Sequence, residues 1–580
     1  MTTQSVLASG LRPRRIGSPP PSASWEAPEV WLELPNILGE DKFVGLAAIN
    51  EHATYFTFIV ETNTGTNTVS EGFQVDWGNG DVFTYASGTR VSYLYDYTSV
   101  GNDTDLHKQA LITVTPLGDD TLKEIDLNVD INTELGVSSY LGTSPWIEIS
   151  VESPTLSVFN VGAGHPVTDP LVSSPPNINH RILKKVRVRC PNIIDYGTMF
   201  SHCYGLESVD LDTTNGENFF GFLQKCTSMS KFPKLHLTGA TNLGHAFRDC
   251  SILGRLPKFI LPNCTSLEYT FSSCTLIQNI EIEAPLVTSC EWMANSANVL
   301  TYIDLQVPSC TNFKLTFSSA LSLSEVYDVD VSSGIEFLSM FSYCARLETF
   351  PDKDFLAGVD FTSMFFACTN FSELPMFTFP QGRTFDSMMD GTGLIRTPRW
   401  EFPVGDSFIG MFRDCLALQI ADLWLAGATS MAQYDNIVQG CDALVVPAIY
   451  SPVGPLANYG GKSTTIFGGG ACTEVSSLVS LSYNGSALTE VVGIDVSTIT
   501  TPNPISFFCA NSPRLSRVQI KGLTGNINAY NCNFGAGAID EIFTNLATVI
   551  TSPYIDVSNN PGAATCTPSI AIDKGWTVTT

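Results

Sequence analysis

The side chains best placed to do chemistry are acids set on short alternating runs: Ile280-Glu-Ile282, Asp304-Leu-Gln-Val307, Asp328-Val-Asp-Val331 and Asp422-Leu-Trp-Leu425. A period of two sends alternate residues to opposite faces of a strand. With the apolar members inward, the outward set is Lys234, His236, Lys258, Ile260, Glu281, Glu283, Asp304, Gln306, Asp328, Asp330, Asp352, Asp354, Met376, Thr378, Arg399, Glu401, Asp422 and Trp424. Consecutive runs thus carry an acidic ladder. On parallel strands about 4.8 Å apart, like charges face each other and raise one another's pKa.

Three chemistries fit such a ladder. It is a solvated face on which repulsion costs a fraction of a kcal/mol per pair, a seat for Ca²⁺ or a basic partner surface, or the carboxylates of a solenoid glycosidase, with Asp328 and Asp330 as the acids. A glycosidase cleft also wants aromatic platforms, and Trp400 is expected inward while Trp424 lies several runs away. No catalytic residue and no resident metal or other cofactor is therefore assigned. Phosphate binding fails at Tyr459-Gly-Gly-Lys462-Ser463, because the first glycine of a Walker loop would fall at Leu456. The sixteen cysteines include no C-x-x-C pair, and the seven histidines lack ligand spacing.

The elements that must position these acids recur. The pattern F-x-x-C-x-x-L stands at Phe200/Cys203/Leu206, Phe247/Cys250/Leu253, Phe271/Cys274/Ile277, Phe341/Cys344/Leu347, Phe365/Cys368/Phe371 and Phe412/Cys415/Leu418. Weaker copies are Leu223/Cys226/Met229, Met293/Ser296/Val299, Phe317/Ala320/Leu323, Met389/Thr392/Ile395 and Val438/Cys441/Leu444. From Cys203 to Cys441 the Cys column advances by 22 to 26 residues at each step, the mark of a solenoid. Ser296, Ala320 and Thr392 replace cysteine there, so the column reads as small buried residues. An apolar residue four before the Phe (Leu243, Leu267, Phe361, Phe408) suits one short helical turn. Each unit reads as strand, turn and helical or 3₁₀ segment.

The string Thr362-Ser-Met-Phe365 through Phe371, with Gly410-Met-Phe412 through Leu418, resembles the BspA-like leucine-rich repeat over about Cys190 to Leu444. Ile555-Asp-Val-Ser-Asn-Asn-Pro-Gly562 and Lys574-Gly-Trp576 are similar to the strand, Asn turn and closing coil of that class. Between about Tyr450 and Thr500 the Phe/Cys register is lost. The resemblance implies an α/β solenoid, a β-rich leucine-rich repeat of about 24 residues per coil.

Upstream, Phe43 to Leu117 holds β-type runs around Asp76-Trp-Gly-Asn-Gly-Asp81, where Asn-Gly supplies a tight hairpin turn. Trp77, Gly78, Gly80 and Tyr97 resemble the signature of a PKD-like all-β sandwich, a spacer or adhesion module in that family. The expected organisation is an extended Pro-rich arm (1–41), the sandwich (42–120), a β-rich connection and cap (121–189), the solenoid (190–449) and irregular repeats with a cap (450–580). In the arm, Arg12, Arg14, Arg15, Trp25 and Trp31 are the expected anchoring residues.

Of the 580 residues, 30 are Lys or Arg and 57 Asp or Glu; the net charge of −27 argues against a nucleic-acid partner. No apolar run approaches the roughly 18 residues of a membrane span, and Met1 to Pro21 lacks the apolar core of a signal peptide. An adhesion-type chain without either fits a virion assembled in host cytoplasm, where unpaired cysteines persist. The expected function is a non-enzymatic bacteriophage structural or adsorption protein that binds other virion proteins, a host surface protein or a glycan, as a homo-oligomer. The alternatives are a cellular BspA-like adhesin and a polysaccharide depolymerase.

Overall fold

The computed structural model describes residues 31–50, 54–66, 69–103, 107–127, 142–162, 178–425, 437–438, 440–441, 443, 446–450, 458–459, 465–471, 480–483, 489–497 and 504–580. Its N-terminal strands are β1 (Lys42–Ile49), β2 (Tyr55–Asn63), β3 (Phe73–Asp76), β4 (Val82–Tyr85), β5 (Arg90–Leu94), β6 (Asn102–Asp103), β7 (Lys108–Pro116) and β8 (Thr121–Asp126). They continue as β9 (Gly142–Thr143), β10 (Trp146–Glu152), β11 (Val158–Asn160), β12 (Ile178–Asn179), β13 (Lys185–Arg189) and β14 (Ser208–Leu211). One sheet has the order β14-β13-β10-β1-β7-β3-β4 and a second β11-β8-β2-β5. The two meet through Trp146 of β10, whose ring lies 5.4 Å from Phe43, 5.0 Å from Phe56 and 6.4 Å from Phe58. Segment 121–189 thus supplies strands to both sheets.

The β1/β10 pairing is antiparallel, whereas β10 to β13 and β13 to β14 are parallel. Strands β13 and β14 begin the solenoid, so a single hydrogen-bonded sheet joins the first unit to the coils and covers the apolar end that a solenoid must close. From there the chain winds into a β-solenoid of about 14 turns. The expected α/β character fits it only loosely. Among the described residues the α-helices are Ala536–Asn545 and the four residues Ser569–Ile572.

The expected helical turn is instead a pair of reverse turns. In the coil of Cys274, the N–H groups of Leu267, Tyr269, Phe271 and Ser273 donate to the carbonyls of Ser289, Glu291, Met293 and Asn295 one coil on, at 3.1, 2.9, 2.7 and 2.8 Å. The N–H groups between them fold back: Thr270, Ser272 and Cys274 donate to Leu267, Tyr269 and Phe271 at 3.2, 3.2 and 3.1 Å. Every second donor therefore leaves its own coil, which no α-helix permits. The chain achieves this with two left-handed residues per coil, four apart, such as Tyr269 (φ 55°) and Ser273 (φ 59°), or Ser339 (φ 53°) and Tyr343 (φ 63°). The i, i+4 apolar spacing is shared by both geometries, which is why periodicity alone chose the wrong one.

These left-handed positions also correct the register of one coil. Trp292 and Ser296 carry φ 57° and 61°, so Ala294, Ala297 and Leu300, all fully buried, occupy the columns expected for Met293, Ser296 and Val299. The cysteines of the Cys column are donors as well as small residues. Cys226, Cys250, Cys274, Cys344, Cys368, Cys415 and Cys441 each aim Sγ at a carbonyl of the preceding coil, at 2.9 to 3.3 Å.

Inside, phenylalanines stack in register. Phe313, Phe337, Phe361, Phe385 and Phe408 form one column with ring centroids 5.2 to 5.4 Å apart and planes within 9°. Near the end, Asn560 is buried and donates to the carbonyls of Ala529 and Val557, both at 2.8 Å, while the Trp576 indole donates to Ala547 at 2.9 Å. Here the similarity seen at Ile555–Trp576 has a physical basis: one amide side chain ties consecutive coils.

Candidate interaction face

The outward positions lie on β15 (Phe259–Ile260), β16 (Asn279–Glu283), β17 (Tyr302–Gln306) and β18 (Glu325–Val329), which pair in parallel. The register sets Glu281 beside Asp304, Asp304 beside Asp328 across a bulge, and Ile260 beside Glu283. The acidic column expected from sequence is therefore continuous over β16, β17 and β18. It is not bare. Lys258 pairs with Glu283, Lys353 reaches Asp328 at 2.5 Å, and the Gln306 amide bridges Asp304 and Asp328 at 2.9 and 3.0 Å.

Burial pushes the Asp328 carboxyl up, but the hydrogen bonds from Lys353 and Gln306 and the Lys353 charge outweigh it and hold the pKa below the usual carboxylate range. Asp330 accepts from the N–H and hydroxyl of Ser332, at 3.0 and 2.6 Å, and Asp354 from the Thr378 hydroxyl at 2.6 Å. These acids close turns and neighbouring coils. Asp352 stays exposed, and Arg399 and Glu401 lie 3.9 Å apart, Glu401 on a separate two-residue strand and Arg399 just before it. Lys234 and His236 are exposed one coil before Lys258. The side chains of Asp422 and Trp424 lie outside the described residues. Among the described residues no group of three or more His, Cys, Asp or Glu could hold a metal ion.

Sequence reasoning missed the aromatic members of this face. The register shifts between Ile303 and Asp304, and the extra residue of β18 turns Tyr327 outward, 63% exposed, with its ring 5.8 Å from Tyr302. Burial, then Asp304 and Glu281, raises the Tyr302 pKa. An alternating pattern cannot announce a bulge, although the adjacent outward pair Tyr327-Asp328 is its trace in the sequence.

A second stack lies on the left-handed turns. His245 and Tyr269 stack at 4.6 Å, and Tyr269 and Trp292 at 5.7 Å, with the Arg248 guanidinium 5.2 Å from the Tyr269 ring. Their faces cover one another, so the stack braces the coils.

The N-terminal unit departs from expectation twice. The tyrosine that answers the Asp76–Asp81 turn is not Tyr97. Tyr95 donates to the Trp77 carbonyl at 2.5 Å, and the Tyr93 ring stacks on Trp77 at 4.2 Å, whereas Tyr97 lies under Lys108. The Tyr93 hydroxyl also donates to Asp81 at 2.5 Å; burial first, and then Asp81, pushes its pKa up to about 12. In the arm, Trp31 is not held out for a neighbouring molecule. Trp31, Leu32 and Leu34 pack on Leu46, Ala48 and Ile147 of the chain's own first sheet, and the Leu32 N–H donates to Gln109 at 2.9 Å. Arg12, Arg14, Arg15 and Trp25 lie outside the described residues.

No family model matches the chain, and no curated protein does. Among solved structures, the chain is similar to a leucine-rich repeat protein from Bacteroides ovatus at 15% identity, over 60% of this chain and 82% of that one, with a TM-score of 0.30. A leucine rich cell surface protein from Faecalibacterium prausnitzii gives 16% identity, 62% and 90% coverage and a TM-score of 0.28. The Drosophila Toll–Spatzle complex gives 13%, 78% and 62%, and 0.21.

Proposed function

We propose that this chain is a non-enzymatic, repeat-based binding protein, and more particularly a virion structural or adsorption protein. On this reading the PKD-like sandwich is a spacer and the segment before residue 31 an attachment. The observation that carries the binding role is the strand face: in-register columns of charged side chains, with two outward tyrosines, on a rigid solenoid. Extended or repetitive protein surfaces fit such a face. The partners are neighbouring virion proteins or a host surface protein. All fifteen described cysteines are free, which favours assembly in a reducing compartment.

The second reading, a cellular BspA-like adhesin, is favoured by the Phe/Cys motif itself. Fractionation separates the two. The virion reading expects the chain to co-purify with particles through a density gradient; recovery only with the cell envelope rejects it in favour of the adhesin.

A further inference from the structure

The charges of the strand face are sorted along the axis. On β13 and β14 the register sets Lys185 beside Ser208 and Arg187 beside Asp210. Buried Thr213, Leu237 and Leu261 align the next two coils, with the His236 N–H donating to the Thr213 hydroxyl at 2.7 Å, and Ile260 pairs with Glu283. One outward column therefore reads Arg187, Asp210, Lys234, Lys258, Glu281, Asp304, Asp328, Asp352. The first four carry three positive charges and one negative; the last four are all acids. In a chain with 30 basic and 57 acidic residues, this basic half is a local inversion of the overall charge.

Such a column is complementary to its own reverse. We propose that the strand face closes on a second copy of this chain in an antiparallel dimer, about a two-fold axis that lies in the interface, runs along the strands and passes between Lys258 and Glu281. That operation sets Lys258 against Glu281, Lys234 against Asp304 and Arg187 against Asp352 of the second copy, and each pair occurs twice. In the neighbouring column Arg189 meets Asp354. Two like pairs result, Asp210 with Asp328 and Asp212 with Asp330, but Asp210 is already held by Arg189 at 2.6 Å and Arg187 at 3.5 Å, and Asp328 by Lys353 at 2.5 Å. Ile260 stands beside the axis and Tyr327 two coils beyond Glu281, 56% and 63% exposed, and the second copy would cover both.

Eight coils about 4.8 Å apart and five residues of strand give a patch of about 34 by 16 Å, or about 1,100 Å² over both copies, the size of a weak and transient interface. The net charge of −27 adds long-range repulsion. The dimer is thus concentration-dependent, and a stronger partner displaces it. The inference shares the proposed reading of the strand face but is tested without any partner, so either can fail alone.

The test is sedimentation equilibrium of the full chain. The wild type is expected to pass from one chain mass to a plateau at two as concentration rises, with weaker association at higher salt. Lys234→Glu/Lys258→Glu and Glu281→Lys/Asp304→Lys variants, checked for fold by circular dichroism, are each expected to remain monomeric, and their equimolar mixture to recover the dimer. The proposal is overturned by a wild type monomeric at every concentration, by mass growing past two chains without a plateau, or by variants that self-associate like the wild type.

Discussion

At the scale of single residues, the fold depends on backbone conformations that side chains ordinarily avoid. A left-handed residue other than glycine costs about 1–2 kcal/mol, and most coils hold two. Replacing Ser319 (φ 62°) by glycine should therefore raise stability by up to about 1 kcal/mol. Replacing Gly391 (φ 70°) by alanine should lower it by a similar amount, both read from urea midpoints. Three histidines set a pH dependence. Burial lowers the pKa of His180, His202 and His245 to about 4 each. Above pH 6.5 the imidazoles are neutral in folded and unfolded chains alike. As pH falls from 6.5 toward 4, only the unfolded chain takes up these protons, so stability is lost across that window, by about 3 kcal/mol for fully buried His180. His180→Leu should flatten the fall in the urea midpoint between these pH values; an unchanged slope would contradict the assignment. At this scale the sequence was half legible. The Cys column announced its small size, but its thiol hydrogen bonds depend on a carbonyl one coil away that no local pattern contains.

At the scale of elements, periodicity located most of the strands and buried columns, missed the register of the coil of Ala297, and misjudged what joins them. A spacing of four suits a helical turn and a pair of left-handed turns equally, and the choice was made by bonding to the next coil. The aromatic columns show how strongly neighbouring coils depend on each other. The Phe361 ring stacks on Phe337 and Phe385, each at 5.2 Å, and meets Phe379 edge-on at 4.9 Å. Phe361→Ala should cost about 3–5 kcal/mol, because rings held on both sides cannot collapse into the gap; a loss below 1 kcal/mol would show a core that relaxes freely. The arm acts at the same scale. Removing residues 1–41 strips Trp31, Leu32 and Leu34 from Leu46, Ala48 and Ile147 and should lower the thermal midpoint. Composition marked the arm as extended; Trp31, Leu32 and Leu34 dock because the outer face of the first sheet is apolar.

At the scale of the whole molecule, strand pairing runs from β4 through the first sheet into the first coils at β13 and β14. The acidic ladder was legible because outward residues of a solenoid fall into columns at the repeat spacing. The lysine and glutamine that temper it were not, since Lys353 reaches Asp328 from the next coil and Gln306 bridges two carboxylates across a strand pair. The account turns on this face being the recognition surface. Its most direct test is saturable binding of the labelled full chain to host cells, compared with Glu281→Lys/Asp304→Lys. The account predicts that the wild type saturates and that the variant, equally folded, loses at least tenfold in affinity. Equal binding by the two proteins, or no saturable binding by the wild type, would contradict it.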